Sequence, residues 1–194
     1  EHRWKAVASV RKQVKNVRKA RHEEVVVSTK DIADCKLRPD RATRLTDRGP
    51  LHFPHADLLI DPYVFGVWLG DGHSNQAVIT SDDMDSEIVR AEIERRGYRT
   101  TDQKTPRTFG ILDLKVKLRD IGVLGNKHIP DAYLFGSFDQ RYDLLRGLMD
   151  TDGNVAKGGQ CFFAQSDAGI IESFRRLLWS LGIKNTLHSY EPVL

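Results

Sequence analysis

The sequence predicts an α+β fold made of two related units in one chain, preceded by a basic, β-rich N-terminal segment. Three observations carry this. An apolar, helix-length run ending in Asp-Gly occurs twice, at 63–72 and at 144–153. Each copy is followed by the same succession of a strand-like run, a Ser-Asp pair, an amphipathic helical pattern and a glycine. Three prolines, Pro50, Pro54 and Pro62, separate these copies from a first stretch rich in lysine and arginine.

Residues 1–50 read as short strands and loops. VASVRKQVKNVRKA has no clean helical stripe, and Val25-Val26-Val27 is a β-branched run. Residues 51–61 form an extended connector, because the prolines forbid a continuous helix, and a boundary is placed near Asp61. The first unit then covers 62–143 and the second 144–194, which is truncated relative to the first. In the first, AVITSDD (77–83) ends in an N-cap signal ahead of the helix SEIVRAEIERRGY (86–98), and in the second FFAQSDA (162–168) precedes GIIESFRRLLWSLGI (169–183). Both helices stop at a glycine, Gly97 or Gly182, suited to a left-handed C-cap. The runs RTTDQK and FGILDLKVKL in the first copy, and KNTLHSY in the second, read as further strands. One unit is therefore helix, hairpin, helix, hairpin, and two units imply a monomer with an internal pseudo-two-fold axis. Gly66 and Gly70, four apart on one helix face, would let the two motif helices approach closely, with Gly147 as the partner surface.

The 194 residues are enough for a sizeable core, and 40% of them are hydrophobic. No run is long and apolar enough to span a membrane, and EHRWKAVASVRKQ lacks the features of a signal peptide, so a cytoplasmic location is expected. Cys35 and Cys161 are far apart without zinc-like spacing, and are expected to be reduced thiols. The net charge of +3 conceals a division. Residues 1–50 hold 14 Lys and Arg against 7 Asp and Glu, whereas the rest hold 16 against 20. Positive charge so concentrated points to a polyanion.

One Asp-Gly after a helix is ordinary capping, but two copies in matched contexts are more informative. Side-by-side packing of the glycine-lined helices would bring Asp71 and Asp152 together at their C-terminal ends. Carboxylates that close repel unless cations intervene. An oxygen-only set favours magnesium, which keeps waters, binds substrate phosphates and supports in-line phosphodiester displacement. DNA hydrolysis fits this chemistry.

VFGVWLGDG and LRGLMDTDG resemble the paired motifs of the double-motif LAGLIDADG homing endonucleases, over residues 62–194. The resemblance implies two αββαββα units whose curved sheets form a saddle on double-stranded DNA. It also implies Asp71 and Asp152 as metal-binding catalytic aspartates, with Mg2+ or Mn2+ as cofactor and Gly70 and Thr151 as further metal-site candidates. Leu69 departs from the family pattern, where an aspartate often stands, whereas Asp150 keeps it. DPYVFGVWLGDGH, NKHIP and YDLLRGLMDTDG are similar to the endonuclease blocks of inteins. In that subtype the lysine of Lys127-His128-Ile129-Pro130 is catalytic, and its counterpart in the second unit would fall beyond Leu194. EHRW followed by a basic stretch and STKDI is similar to a splicing-domain block in which His2 would help activate the upstream peptide bond. An upstream Cys or Ser and a downstream His-Asn are not in these residues, so this chain is expected not to splice.

DNA contacts are expected from polar residues alternating along the saddle strands. In the first unit these are Ser74, Asn75, Gln76, Arg99, Thr101, Gln103, Lys104, Arg107, Lys115 and Lys117. In the second they are Asn154, Lys157, Gln160, Gln165, Lys184 and His188. Phosphate contacts should outnumber base contacts, and residues 1–50 should add further phosphate contacts. The rival readings are a LAGLIDADG nucleic-acid-binding protein without cleavage, of maturase or regulator type, and a splicing intein with a degenerate endonuclease.

Overall fold

The computed structural model describes residues 3–14, 17–30, 44–45, 49–81 and 83–189. His2 and Cys35, named above, lie outside them. The chain divides into two compact units, Glu1–Arg48 and Gly49–Leu194.

In the first unit, β1 (Arg3–Val14) and β2 (Val17–Ser28) form an antiparallel ribbon of two 12-residue strands, longer than the short strands expected from sequence. A short β3 (Arg44–Leu45) pairs with β1 at Ala6 and Val7.

The second unit is α+β, and the described residues of the whole chain contain six helices with small antiparallel sheets. Its centre is α1 (Pro62–Asp71), whose residues from Pro62 to Leu69 are all buried. A helix apolar on every side must be covered on every side. Asp61 starts it, accepting from the amides of Tyr63 and Val64 at 3.0 and 3.3 Å, with Pro62 at the first helical position. One flank of α1 lies on α5 (Phe138–Asp152), which begins with a reciprocal capping box between Ser137 and Gln140. The two backbones nearly touch. A Cβ on Gly147 would lie 2.2 Å from the Tyr63 carbonyl oxygen, and one on Gly66 would lie 2.6 Å from that of Leu144. The close approach expected from Gly66 and Gly147 is therefore the actual helix contact.

Around this pair the elements follow the expected order in part. After α1, Gly72 bridges to Ile79 beside β4 (Val78–Thr80). Next come α2 (Asp83–Arg95), β5 (Thr100–Asp102) and β6 (Thr108–Ile111), giving a sheet of order β4-β6-β5. After α5, β7 (Gly153–Val155) pairs with β8 (Cys161–Phe163), and α6 (Ala168–Ser180) follows, N-capped by Asp167. Gly97 and Gly182 do take left-handed conformations, at φ +86° and +77°.

Two expectations are corrected. FGILDLKVKL is not one strand: after β6 the chain turns into α3 (Leu114–Asp120), so Lys115 and Lys117 are helical. Its alternating pattern imitates a strand, but the buried residues are Leu114 and Leu118, an i,i+4 pair, while Val116 is 54% exposed. KNTLHSY forms no strand among its described residues, and Leu187 within it is exposed. Among the described residues the sheets of the second unit thus have three and two strands, where the αββαββα pattern would need four in each half.

The proline-rich connector is extended as expected and is held by buried side chains. Arg141, fully buried, donates to the carbonyls of Gly136, Ser180 and Leu51, while Gln140 both donates to and accepts from the backbone of Ala56. A short helix α4 (Asp131–Leu134) places Tyr133, whose hydroxyl bonds the backbone of Ile60. Arg96 joins α2 to the start of α1 and to α5. It is paired with Asp61 at 3.0 Å, Asp143 at 2.9 Å and Glu92 at 3.1 Å, over the ring of Tyr63.

Two predictions test this frame. Gly147→Ala would gain about 1 kcal/mol of helix propensity, but its methyl meets backbone that cannot move alone, so a net loss of roughly 2–3 kcal/mol is expected in urea unfolding. Gly158→Ala, with nothing within 4 Å of the added carbon, should be near neutral. The second concerns Glu92, whose carboxyl is lowered to about 2, chiefly by hydrogen bonds from Arg95 and, against burial, from Arg96. Its stabilisation is full above the unfolded value of about 4.5 and is lost as pH falls toward 2. Arg95 is 66% exposed and water screens its share. Urea unfolding from pH 5 to 2 should show a shallower loss of stability in Glu92→Gln than in the parent.

Candidate functional site

The motif helices α1 and α5 end side by side. Gly70 has no room for a side chain: a Cβ there would lie 2.0 Å from Thr151 Oγ1 and 3.4 Å from Asp152 Oδ2. Asp71 and Asp152 are the last residues of the two helices, each followed by a glycine in an extended conformation. Gly72 and Gly153 therefore do not serve as left-handed caps. Each is small because a Cβ would strike its own last turn, 2.3 Å from Trp68 O and 2.2 Å from Met149 O.

Two carboxylates at two helix C-termini sit where the helix dipoles are also negative, so the place calls for positive charge. Lys127 supplies it. Its Nζ donates to the carbonyls of Leu69 at 2.9 Å and Gly70 at 3.2 Å, and lies 5.2 Å from the centre of the Trp68 ring. Burial lowers the Lys127 pKa, while the charges of Asp152 and Asp71 oppose that shift. The Asp152 carboxyl is raised by burial, against lowering influences from Lys127 and from Gln165, whose Nε2 donates to Asp152 Oδ2 at 2.8 Å. Both shifts have the same leading cause, partial removal from water, and each partner's charge works against it. Thr151 directs its hydroxyl back to the carbonyls of Gly147 and Leu148. Asp150 accepts from the Tyr63 hydroxyl at 3.0 Å, which ties α5 to α1 just before the site.

The donor set is oxygen only, and the half-buried Asp152 carboxylate would gain from an added hard cation. Among the described residues no group of three or more His, Cys, Asp or Glu gathers. A divalent ion held by Asp71 and Asp152 would therefore complete its shell with water and substrate oxygens, as magnesium does. The residues fit such an ion.

The other residues named from sequence fall into three places. Ser74, Asn75 and Gln76 occupy the exposed loop after Gly72. It packs on the segment leading to Lys127 through Gly125 N to Ser74 O at 2.7 Å. Thr101 and Gln103 stand over Gly110 on the β4-β6-β5 sheet. Lys104 and Arg107 lie in its exposed β5–β6 turn, with Arg107 at φ +62°. In the second half Asn154, Lys157 and Gln160 belong to the exposed β7–β8 hairpin, and Lys184 and His188 to the exposed segment after α6. Lys115 is exposed on α3. Arg99 and Lys117 instead line a cleft with Asp61, Tyr98 and Asp113, at the N-terminal end of α1. Arg99 lies 3.7 Å from Asp113, and Lys117 lies 5.1 Å from the Tyr98 ring centre. A ten-residue helix is about 15 Å long, so the structure does not bring these two to the Asp71–Asp152 end. Sequence reasoning missed the Tyr63–Asp150 link and the contact of Gln165 with Asp152. The sequence marks Gln165 only by its polarity, since it stands thirteen positions beyond Asp152, across the β7–β8 hairpin.

Residues 139–192, from the start of α5 onward, match the LAGLIDADG-like domain. The chain is also 42% identical over 163 residues to a protein described as replicative DNA helicase DnaB from Mycobacterium intracellulare. The match covers 82% of this chain and 26% of that protein, so this chain spans about a quarter of the length of the curated relative it matches. No helix among the described residues is long and apolar enough to cross a membrane.

Lys127→Met should remove two bonds to the last turn of α1 and leave Asp71 and Asp152 without their shared cation. A loss of about 1–3 kcal/mol is expected in urea unfolding at neutral pH. An unchanged midpoint would mean that the ammonium does not hold the helix end.

Proposed function

We propose that this chain is the DNA-cutting segment of an intein-type LAGLIDADG homing endonuclease, a site-specific phosphodiester hydrolase inserted in a DnaB-type host protein. The observation that carries the reading is that Asp71 and Asp152 end two glycine-packed helices, with the Lys127 ammonium bonded to the last turn of the first and under the charge of both carboxylates. The match to the LAGLIDADG-like domain supports the class, and the similarity to a replicative helicase supports the host.

In this reading the substrate is double-stranded DNA, and the chain acts as a monomer whose halves are related by an internal pseudo-two-fold axis. Asp71 and Asp152 would hold divalent metal, magnesium or manganese, with Gly70 and Thr151 packed beside them. When bound there, the metal would neutralise charge at the phosphate oxygens. Gln165 is a positioning residue, since its amide donates to one oxygen of Asp152 and so sets the orientation of the carboxylate. Lys127 stabilises the negative charge that develops on the phosphoryl oxygens as water adds to phosphorus and the opposite P–O bond breaks. Its lowered pKa follows from burial, and a desolvated ammonium acts more strongly on nearby charge than one in water. The exposed loop 74–76, the β5–β6 turn and the β7–β8 hairpin supply contacts to phosphates and base edges.

The test uses supercoiled plasmid carrying an uninterrupted coding sequence for a DnaB-type helicase, incubated with magnesium. The parent should linearise it. Asp71→Asn and Asp152→Asn should each abolish double-strand cleavage while retaining DNA binding, and Lys127→Met should slow it by about 10²–10³. Parental rates in either aspartate variant would refute the two-carboxylate mechanism, and binding without cleavage by the parent would favour a nucleic-acid-binding protein of maturase or regulator type.

A further inference from the structure

The β1–β2 ribbon has a division along its length. β3 pairs only with Ala6 and Val7, near the end of the ribbon where Arg3 meets Ser28. Beyond that, Ala8–Val14 and Val17–Glu23 are paired, among the described residues, only with each other. Seven residues of antiparallel strand extend about 24 Å. The two ends differ in charge. Residues 10–21 contain six basic residues, Arg11, Lys12, Lys15, Arg18, Lys19 and Arg21, and no Asp or Glu, whereas Glu23 and Glu24 stand nearer the β3 end.

The register makes this costly for the protein alone. Lys12 is directly opposite Lys19, and Arg11 and Arg18 share the other face one step apart, with partners Ala20 and Gln13. Like charges placed opposite each other destabilise a strand pair, and a bare two-stranded hairpin is marginal to begin with. Five basic residues within the paired strands here, Arg11, Lys12, Arg18, Lys19 and Arg21, repel one another, and a polyanion would relieve that repulsion. A two-stranded ribbon also has the width to enter a major groove about 12 Å across, with phosphates on both rims.

We infer that the distal half of the β1–β2 ribbon is a duplex-DNA arm that binds phosphates along a groove through charges on both of its faces. The inference rests on the reading that this chain works on DNA, but it concerns a unit separate from Asp71, Asp152 and Lys127 and requires no catalysis.

The test measures affinity for a 40-base-pair duplex by fluorescence anisotropy, in EDTA, from 50 to 300 mM salt, using the whole chain. Two variants are compared with the parent, Lys12→Thr/Lys19→Thr and Arg11→Gln/Arg18→Gln. Each neutralised phosphate contact contributes about 0.9 to the slope of log affinity against log salt. Each double variant should therefore lower the steepness by about 2. Facing threonines are good strand formers, so Lys12→Thr/Lys19→Thr should also melt no lower than the parent while binding DNA more weakly. That combination cannot arise from a damaged fold. Unchanged slopes in both variants, or a change seen with single-stranded RNA and not with the duplex, would overturn the proposal. Because no metal is present, a failed cleavage assay leaves this result standing, and a failed arm leaves the cleavage result standing.

Discussion

The contact between α1 and α5 at Gly66 and Gly147 governs the geometry of the second unit. With backbone against backbone, the helices cannot slide along each other without driving a carbonyl into an amide, so the positions of their last residues are linked. Gly70 continues the same constraint to the end of α1, where it leaves space for Thr151 and the Asp152 carboxylate. The consequence is electrostatic. Two helix C-termini and two carboxylates concentrate negative potential, and Lys127 occupies it with bonds to the carbonyls of the last turn of α1. A lysine held in this way is partly desolvated, which depresses its pKa and strengthens its field at the same time.

The opposite ends of these helices are fixed by arginines. Arg96 is only 10% exposed, yet it meets Asp61, Asp143 and Glu92. Removing that many charges from water offsets much of their attraction, so the cluster contributes orientation more than net stability. Asp61 both caps α1 and binds Arg96, and thereby sets where the buried helix begins. Arg141 does comparable work with carbonyls alone. It reaches three separate backbone segments and carries the proline-rich connector on the surface of α5 and α6.

The charge of the chain is partitioned by unit. The excess of lysine and arginine belongs to the N-terminal unit, and within it to one end of a ribbon. The second unit has a negative balance and devotes many of its arginines to internal ion pairs, Arg90, Arg96 and Arg146 among them. A formal net charge of +3 thus describes neither unit.

The sequence by itself determined where helices must be buried and where they must touch. Val64 to Leu69 without a charged residue points to an enclosed helix, and glycines four apart point to a close neighbour. It also determined the caps at Asp167, Gly97 and Gly182, because capping is a local matter of side-chain length and allowed φ, whereas at Asp61 it marked only a boundary. It misled at 110–118, where alternating apolar residues satisfied a strand and a helix equally and only the burial of Leu114 with Leu118 decided between them. Tertiary structure alone decided that Lys127 lies against the end of α1, that Gln165 reaches Asp152, and that Arg99 and Lys117 turn to the other end of α1. Each of these depends on how far the chain returns through space, and a polar residue carries no mark in sequence of the partner that folding will bring to it.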